Sequence, residues 1–307
     1  MTDHSHYVGR FAPSPTGPLH FGSLVAALGS YLDARSAGGQ WLIRVEDLDP
    51  PRAVRGADRH ILKQLSDHSL VSDQPVIYQS QRLHRFDDAL SCLNDKGHLY
   101  ACNCPRRSYP GLYPGTCRTR ELSGSQPSAL RFRVGETTIQ QKDLVQGAIT
   151  WTYGKDFGDF IVHRKDGLHA YQLAVVIDDI AQKVTRIVRG ADLLSATPMQ
   201  TCLYHALDVQ SPETLHLPMV LGRDGQKLSK PFHNSNEDCF QQLHAYFLKM
   251  ATISITRPAK IKRGATVIRM GLYTAALLKT VGSVLRGPPD IRNIPRAIRA
   301  NPPNIQP

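Results

Sequence analysis

One stretch constrains this chain more than any other: Arg10-Phe-Ala-Pro-Ser-Pro-Thr-Gly-Pro-Leu-His-Phe-Gly-Ser23. It follows a short apolar run, Tyr7-Val8-Gly9, and precedes a pattern of helical period from Leu24 to Ala37. Pro13, Pro15 and Pro18 stiffen the loop. Gly17 and Gly22 let backbone approach a ligand closely. A strand, a stiff loop and a helix N-terminus is how open α/β sheets build a phosphate site, because the first-turn amides lack intrahelical partners and the dipole favours an anion. The amides of Gly22, Ser23 and Leu24 are therefore expected to face an anion, with His20 at the mouth as a donor. From this stretch alone, a proline-rich loop that caps a helix and carries an ordinary histidine reads the same way.

The chain beyond it alternates strand-like and helix-like segments. Gln40 to Asp49 is an apolar run ending in acids, the pattern of a buried parallel strand with polar groups at its C-terminal end. Arg52 to Leu70 and Leu83 to Lys96 have helical period, the second stopped by Gly97, with a short strand at Val76-Ile77-Tyr78 between them. Residues 99–160 break the rhythm with short strands and turns, including Leu130 to Val134 and Ile149 to Tyr153. The α/β alternation resumes at Phe160 to His163, at Ala170 to Ile177 and in a buried strand from Val184 to Val188, followed by a helix from Leu194 to Ala206. The fold expected is α/β, a doubly wound parallel sheet of Rossmann type, with an inserted subdomain. Its parts would be the first half of the core (1–98), the insert (99–160), the second half (161–240) and a tail (241–307).

A second motif completes the first. Lys227-Leu-Ser-Lys230 follows the turn-rich Leu221-Gly-Arg-Asp-Gly-Gln, and two lysines three apart supply mobile point charges suited to a polyphosphate. With His20-x-Gly22 some two hundred residues earlier, this pair resembles the class I aminoacyl-tRNA synthetases. The words F-A-P-S-P-T-G-x-L-H-x-G, R-V-E-D-L-D and I-V-R-G-A-D-L narrow the resemblance to the glutamyl/glutaminyl branch. The chain is most similar there to the shortened paralogues of glutamyl-tRNA synthetase that act on the queuosine base of tRNA(Asp). The resemblance runs from about Tyr7 to Pro231. One mild departure is Ser23, where the family's H-I-G-H signature ends in His.

The resemblance implies an adenylate-forming enzyme using ATP with Mg²⁺. His20, Lys227 and Lys230 would be catalytic, and His20, Gly22, Ser23 and Lys230 would hold ATP. Glutamate would lie against Arg10, Phe11, Ala12, Pro13, Ser14, Glu46, Tyr171 and Arg189, with Glu46 on the ammonium and Arg10 and Arg189 on the carboxylates. Each also has a structural reading: Glu46 paired with Arg44 or Arg52, Arg189 with Asp192, Tyr171 as a core residue. Cys102-x-Cys104 and Tyr113-x3-Cys117 offer three thiols and a phenol, and zinc wants four tetrahedral donors. The spacing leaves a metal site and a cluster of buried thiols equally open; the resemblance implies one structural Zn²⁺ on Cys102, Cys104, Tyr113 and Cys117, with Tyr109 as a rival to Tyr113. Cys92 and Cys202 fall inside helical patterns and are expected to be buried thiols.

Composition limits the alternatives. No apolar run reaches the length of a membrane span, and Met-Thr-Asp-His-Ser-His has neither a basic nor an apolar signal region, so a cytoplasmic, monomeric protein is expected. The net charge of +11 does not itself argue for RNA binding by the motif-bearing region, because residues 241–307 carry 11 Lys/Arg against the single acid Asp290. The family's pattern is not legible in that tail, which reads as an altered reading frame or a divergent replacement beginning between about 235 and 260. The 77 residues after Lys230 are too few for a complete anticodon-binding domain. Taken with that length, the resemblance implies L-glutamate, ATP and queuosine-containing tRNA(Asp) as substrates. A truncated glutamyl-tRNA synthetase charging a tRNA 3′ end and a non-catalytic RNA-binding paralogue are the rival readings.

Overall fold

The computed structural model describes residues 7–120 and 127–219. They all belong to the first of two units into which the chain divides, Met1–His233. Lys227, Lys230 and the whole tail reading lie outside the described residues.

The first half is a parallel α/β layer. β1 (Val8–Phe11) pairs with β2 (Gln40–Val45), and β2 with β3 (Ile77–Tyr78), all parallel. α1 (Phe21–Ser36) connects β1 to β2, and α2 (Ala57–Asp67) connects β2 to β3. α1 packs so closely on the sheet that a Cβ at Gly29 would meet Leu217 Cδ1 at 2.7 Å and push that leucine tip aside. α2 is shorter than its periodicity predicts. Pro50–Arg52 forms a separate 3₁₀ turn, and Gly56, at φ 79°, breaks the chain before the helix starts. α3 (Leu83–Asp95) follows, burying Phe86, Ala89, Leu90 and Leu93. Cys92 lies off that stripe and is exposed, contrary to expectation, whereas Cys202 is buried as expected.

The interrupting segment forms two antiparallel pieces. β4 (Leu99–Cys102), β5 (Ala129–Phe132) and β8 (Phe160–His163) make one sheet in the order β4-β5-β8. β6 (Thr138–Asp143) and β7 (Gly147–Thr152) make a hairpin. α4 (Tyr171–Ala181), β9 (Arg186–Gly190), α5 (Thr197–Ala206) and β10 (Glu213–Leu217) complete the fold. The helix expected from Leu194 divides, because Pro198 sits in the first turn of α5 after a 3₁₀ stretch, Ala191–Ala196. One core runs through α3, the insert sheet, the hairpin, α4 and α5, with Phe86, Leu93, Val162, Leu173 and Leu203 at its centre.

β9 lies beside β1. The Thr185 amide donates to Val8 O at 2.9 Å, and the Val8 amide donates to Thr185 Oγ1 at 3.0 Å. β10 pairs in parallel with β9. The strands therefore run in the order β3-β2-β1-β9-β10, and the order reverses between β1 and β9. In doubly wound sheets the crevice outside the strand ends at that reversal is where ligands bind.

A buried ion network ties this sheet to α4. Asp179 accepts from Arg10 Nε and Nη2 at 3.1 Å each and from Arg44 Nη1 at 2.7 Å. Arg10 is the next-to-last residue of β1, Arg44 lies on β2, and Asp179 is 1% exposed. Burial alone would raise the Asp179 pKa, but the two guanidinium charges outweigh it and hold the carboxyl below its usual range. Asp178, beside it, accepts from Gln79 Nε2 and Arg82 Nε and so holds the entry to α3 against α4.

Replacing Asp179 by Ala would leave two buried arginines without their shared anion. We expect a loss of about 3–5 kcal/mol in urea unfolding at neutral pH. A carboxyl held below its unfolded value stabilises above that value, so the difference between wild type and Asp179→Ala should fade only as the pH falls through and below the ordinary aspartate range. A loss under about 1 kcal/mol at neutral pH would show that the network is not structural.

Candidate functional site

The strand-order reversal opens into a cavity of about 290 Å³. Arg10, Phe11, Ala12, Pro13 and Ser14 line it from the end of β1, His20, Gly22 and Ser23 from the start of α1, Glu46 from the end of β2, Tyr171 from α4 and Arg189 from the end of β9. The structure thus brings together every predicted ligand-contact residue among those it describes. Leu217, Pro218 and Met219 close another side, after β10.

The loop is built differently from the simplest expectation. His20 is the N-cap of α1: its carbonyl accepts from the Ser23 amide at 2.9 Å and the Leu24 amide at 3.1 Å, and its Nδ1 lies 3.3 Å from Ser23 N. Its Nε2 lies 3.1 Å from Ser23 Oγ. Two of the three amides expected to face an anion are therefore engaged by His20, and what they offer a phosphate is the dipole of the helix end. Gly22 makes room for this arrangement, since a Cβ there would sit 3.2 Å from His20 Cε1. Gly17 is required for another reason, its φ of 141°.

The charged groups play distinct parts. The Arg10 charge is matched by Asp179, and Arg44 Nη2 contacts Glu46 Oε1 at 3.2 Å, so the structural pairing of Glu46 with Arg44 is real while Glu46 still lines the cavity. Burial raises the Glu46 pKa by more than the Arg44 and Arg10 charges lower it, and the net direction is up. Arg189 is different. Its Nε contacts His216 Nε2 at 3.0 Å, Nη1 donates to Gln200 Oε1 at 2.9 Å and Nη2 to Thr197 Oγ1 at 3.0 Å. These partners are uncharged side chains. Burial pushes the Arg189 guanidinium below its ordinary pKa. Among the described residues these partners take three of its five N–H donors, and the other two are open to a ligand. A buried cation with neutral partners and spare donors, facing a cavity, is a site for an anion. Asp179, His216, Gln200 and Thr197 were not among the residues predicted; their only signal in sequence is polarity inside otherwise apolar runs, as in Leu215-His216-Leu217.

A second cluster lies in the insert. The Sγ atoms of Cys102, Cys104 and Cys117 lie within 4.8 Å of one another, with Cys104 and Cys117 at 3.4 Å. The Tyr113 hydroxyl is 3.4 Å from Cys102 Sγ and 3.8 Å from Cys104 Sγ. A tetrahedral ion with metal–sulfur bonds of roughly 2.3 Å needs sulfurs about 3.8 Å apart, so this donor set fits one. Tyr109 turns instead to Arg131, to which its hydroxyl is hydrogen-bonded. Arg131 also lies 3.7 Å from the Tyr113 ring centroid, a cation beside a site rich in anionic ligands. Burial raises the Cys102 thiol, but hydrogen bonding with Tyr113 and Arg131 brings it down to about 7, toward the thiolate that a metal requires.

Residues 7–108 and 117–264 match the family described as tRNA synthetases class I (E and Q), catalytic domain. The chain is 49% identical over 234 residues to a glutamyl-Q tRNA(Asp) synthetase of Pseudomonas fluorescens, covering 75% of this chain and 78% of the relative. The chain belongs to the class I tRNA synthetases of the glutamyl and glutaminyl branch, in the glutamyl-Q tRNA(Asp) synthetase family. A relative of that name from Photobacterium profundum is 46% identical over 264 residues, 85% of each chain. The fold is similar to the crystal structure of a glutamate tRNA ligase from Elizabethkingia meningosepticum in complex with its amino acid, with a TM-score of 0.67 and 27% identity over 73% of this chain. This chain spans about half of that longer one, 52%. The family match extends to residue 264, beyond Pro231 where the recognisable motifs end. No helix among the described residues is long and apolar enough to cross a membrane.

The metal cluster predicts one bound thiophilic divalent ion per chain in elemental analysis of the purified protein, lost in Cys117→Ser together with thermal stability. A metal-free, equally stable protein whose thiols all react freely would refute the site.

Proposed function

We propose that this protein activates L-glutamate with ATP in the absence of tRNA and transfers it to a hydroxyl of the queuosine base of tRNA(Asp). One observation carries the amino-acid half: Arg189 is a buried guanidinium with uncharged partners, in a cavity that Glu46 also lines. Glutamate has an ammonium for Glu46 and a side-chain carboxylate for the spare donors of Arg189. Arg10, already paired with Asp179, retains donors for the other carboxylate. The crystal structure of a glutamate tRNA ligase with its amino acid supports the choice of amino acid. The names of the curated relatives support the choice of tRNA.

The reaction follows from these placements. A carboxylate oxygen of glutamate attacks the α-phosphorus of ATP, the bond to the leaving pyrophosphate breaks, and a glutamyl-adenylate forms. A queuosine hydroxyl then attacks the acyl carbon, giving up its proton to water, and AMP leaves with the electron pair of the broken C–O bond. Orientation by Glu46, Arg10 and Arg189 makes the first step effectively unimolecular. His20 and the N-terminal end of α1 face the phosphates. Lys227 and Lys230 are assigned by their motif to the charge that builds up as pyrophosphate departs. Mg²⁺ would accompany ATP and partly neutralise its phosphates. Zn²⁺ on Cys102, Cys104, Tyr113 and Cys117 would be structural, because all four positions are taken by the protein. In this reading residues 1–98 and 161–240 form the two halves of the catalytic core and 99–160 the insert.

Glutamate-dependent ATP–pyrophosphate exchange without tRNA tests the first step, and labelling of tRNA(Asp) with radioactive glutamate tests the second. Exchange without tRNA and labelling only of queuosine-containing tRNA are the expected results. Exchange that needs tRNA(Glu) would reassign the chain to 3′-end charging, and no exchange would exclude glutamate activation. In the same assay Glu46→Ala should raise the glutamate requirement by roughly 10- to 100-fold, the loss of one charge-assisted contact. Lys230→Ala should cut turnover with little change in glutamate binding, and unchanged turnover would remove Lys230 from the site.

A further inference from the structure

Arg189 is held by a chain of contacts that begins outside the cavity, on the inserted hairpin. Asp143 closes β6 and begins the turn into β7. Its Oδ1 accepts from the amides of Val145 at 3.0 Å and Gln146 at 2.8 Å, and its carboxylate accepts from the His216 amide at 3.2 Å. Its Oδ2 lies 2.7 Å from His216 Nδ1. Gln146 Nε2 donates to His216 O at 2.9 Å, and the Leu144 amide to Thr214 O at 2.9 Å, so the hairpin turn is fastened along β10. His216 Nε2 then meets Arg189 Nε at 3.0 Å. His216 and Asp143 are 0% and 2% exposed, and neither lines the cavity.

These contacts fix the tautomer. A guanidinium can only donate, so His216 Nε2 must accept and be unprotonated. The ring proton therefore sits on Nδ1, where Asp143 Oδ2 accepts it. We propose that Asp143 and His216 are positioning residues for amino-acid selection: the inserted hairpin, through the tautomer of His216, sets the orientation of Arg189 and hence its grip on the substrate carboxylate. This rests on the proposed role of Arg189 as reader of glutamate.

Asp143→Asn should reverse these roles. The turn amides require an acceptor at the Oδ1 position, so the Asn amide nitrogen would face His216 Nδ1. The imidazole would then move its proton to Nε2, pointing one donor at another on Arg189. The same inversion of roles follows when an aspartate that orients a catalytic histidine is changed to asparagine. His216→Gln has a side-chain amide in place of the ring and no tautomer to invert.

The test uses the full chain in tRNA-free exchange, with KM measured separately for glutamate and for ATP. Asp143→Asn should raise KM for glutamate by roughly 10- to 100-fold and narrow the preference for glutamate over glutamine, with KM for ATP little changed. In the His216→Gln background the same substitution should have little further effect on KM for glutamate. An equal penalty in both backgrounds, or parallel rises in both KM values, would overturn the proposal. Nitrogen-15 NMR of the wild type decides it independently of activity and of variant folding. A protonated Nδ1 and a bare Nε2 on His216 are expected, and the opposite tautomer or a protonated ring at neutral pH would overturn it. Absence of glutamate-dependent exchange in the wild type would strike at the proposed function and, with it, at the role of the pair in selection, whatever the tautomer.

Discussion

Much of this fold depends on Asp179 standing between Arg10 and Arg44. Three buried charges meet where β1, β2 and α4 come together, and each offsets the cost of burying the others. Each carboxylate oxygen meets a guanidinium donor, and Arg44 passes its remaining charge to Glu46. The network fixes the C-terminal ends of β1 and β2, and those ends present Arg10 and Glu46 to the cavity. The same contacts that hold α4 to the sheet thereby orient two ligand-contact residues.

Arg189 follows the opposite rule. It is as deeply buried as Arg10, yet its partners are His216, Gln200 and Thr197, none of them charged. A desolvated cation left with neutral partners strongly favours an incoming anion. The difference between the two arginines, one compensated from within and one held for a ligand, is the electrostatic basis of the proposed selectivity. It also gives the inserted hairpin a reason to reach β10, the edge strand of the parallel sheet among the described residues. An edge strand needs cover, and here the cover carries the group that orients His216.

The sequence made the strand–loop–helix of residues 7–36 legible because prolines, glycines and a helical period are strong local signals. Strand ends carrying Glu46 and Arg189 were legible because acids and arginines terminate apolar runs. Helix boundaries were less so: Gly56 and Pro198 reset the chain where periodicity alone runs on. Cys92 looked buried because it sits in a helix, but the buried stripe of α3 passes it by. The capping role of His20 could not be read, because it depends on the rotamer that folds the imidazole back over Ser23. Asp179, Asp143 and His216 escaped for a common reason. Each is a polar residue whose partner is dozens of residues away or more, and only the tertiary fold reveals the pairing. Asp178-Asp179 closing an apolar helix and His216 between two leucines are the signals that would have found two of them.

A charge-specific pocket should exist before ATP or tRNA arrives. Calorimetric titration of the protein alone with L-glutamate and with L-glutamine tests it most directly, since the two ligands differ in little but the side-chain charge that Arg189 would read. Glutamate is expected to bind, and glutamine on the order of 100-fold more weakly or worse. Comparable affinities for the two would contradict it.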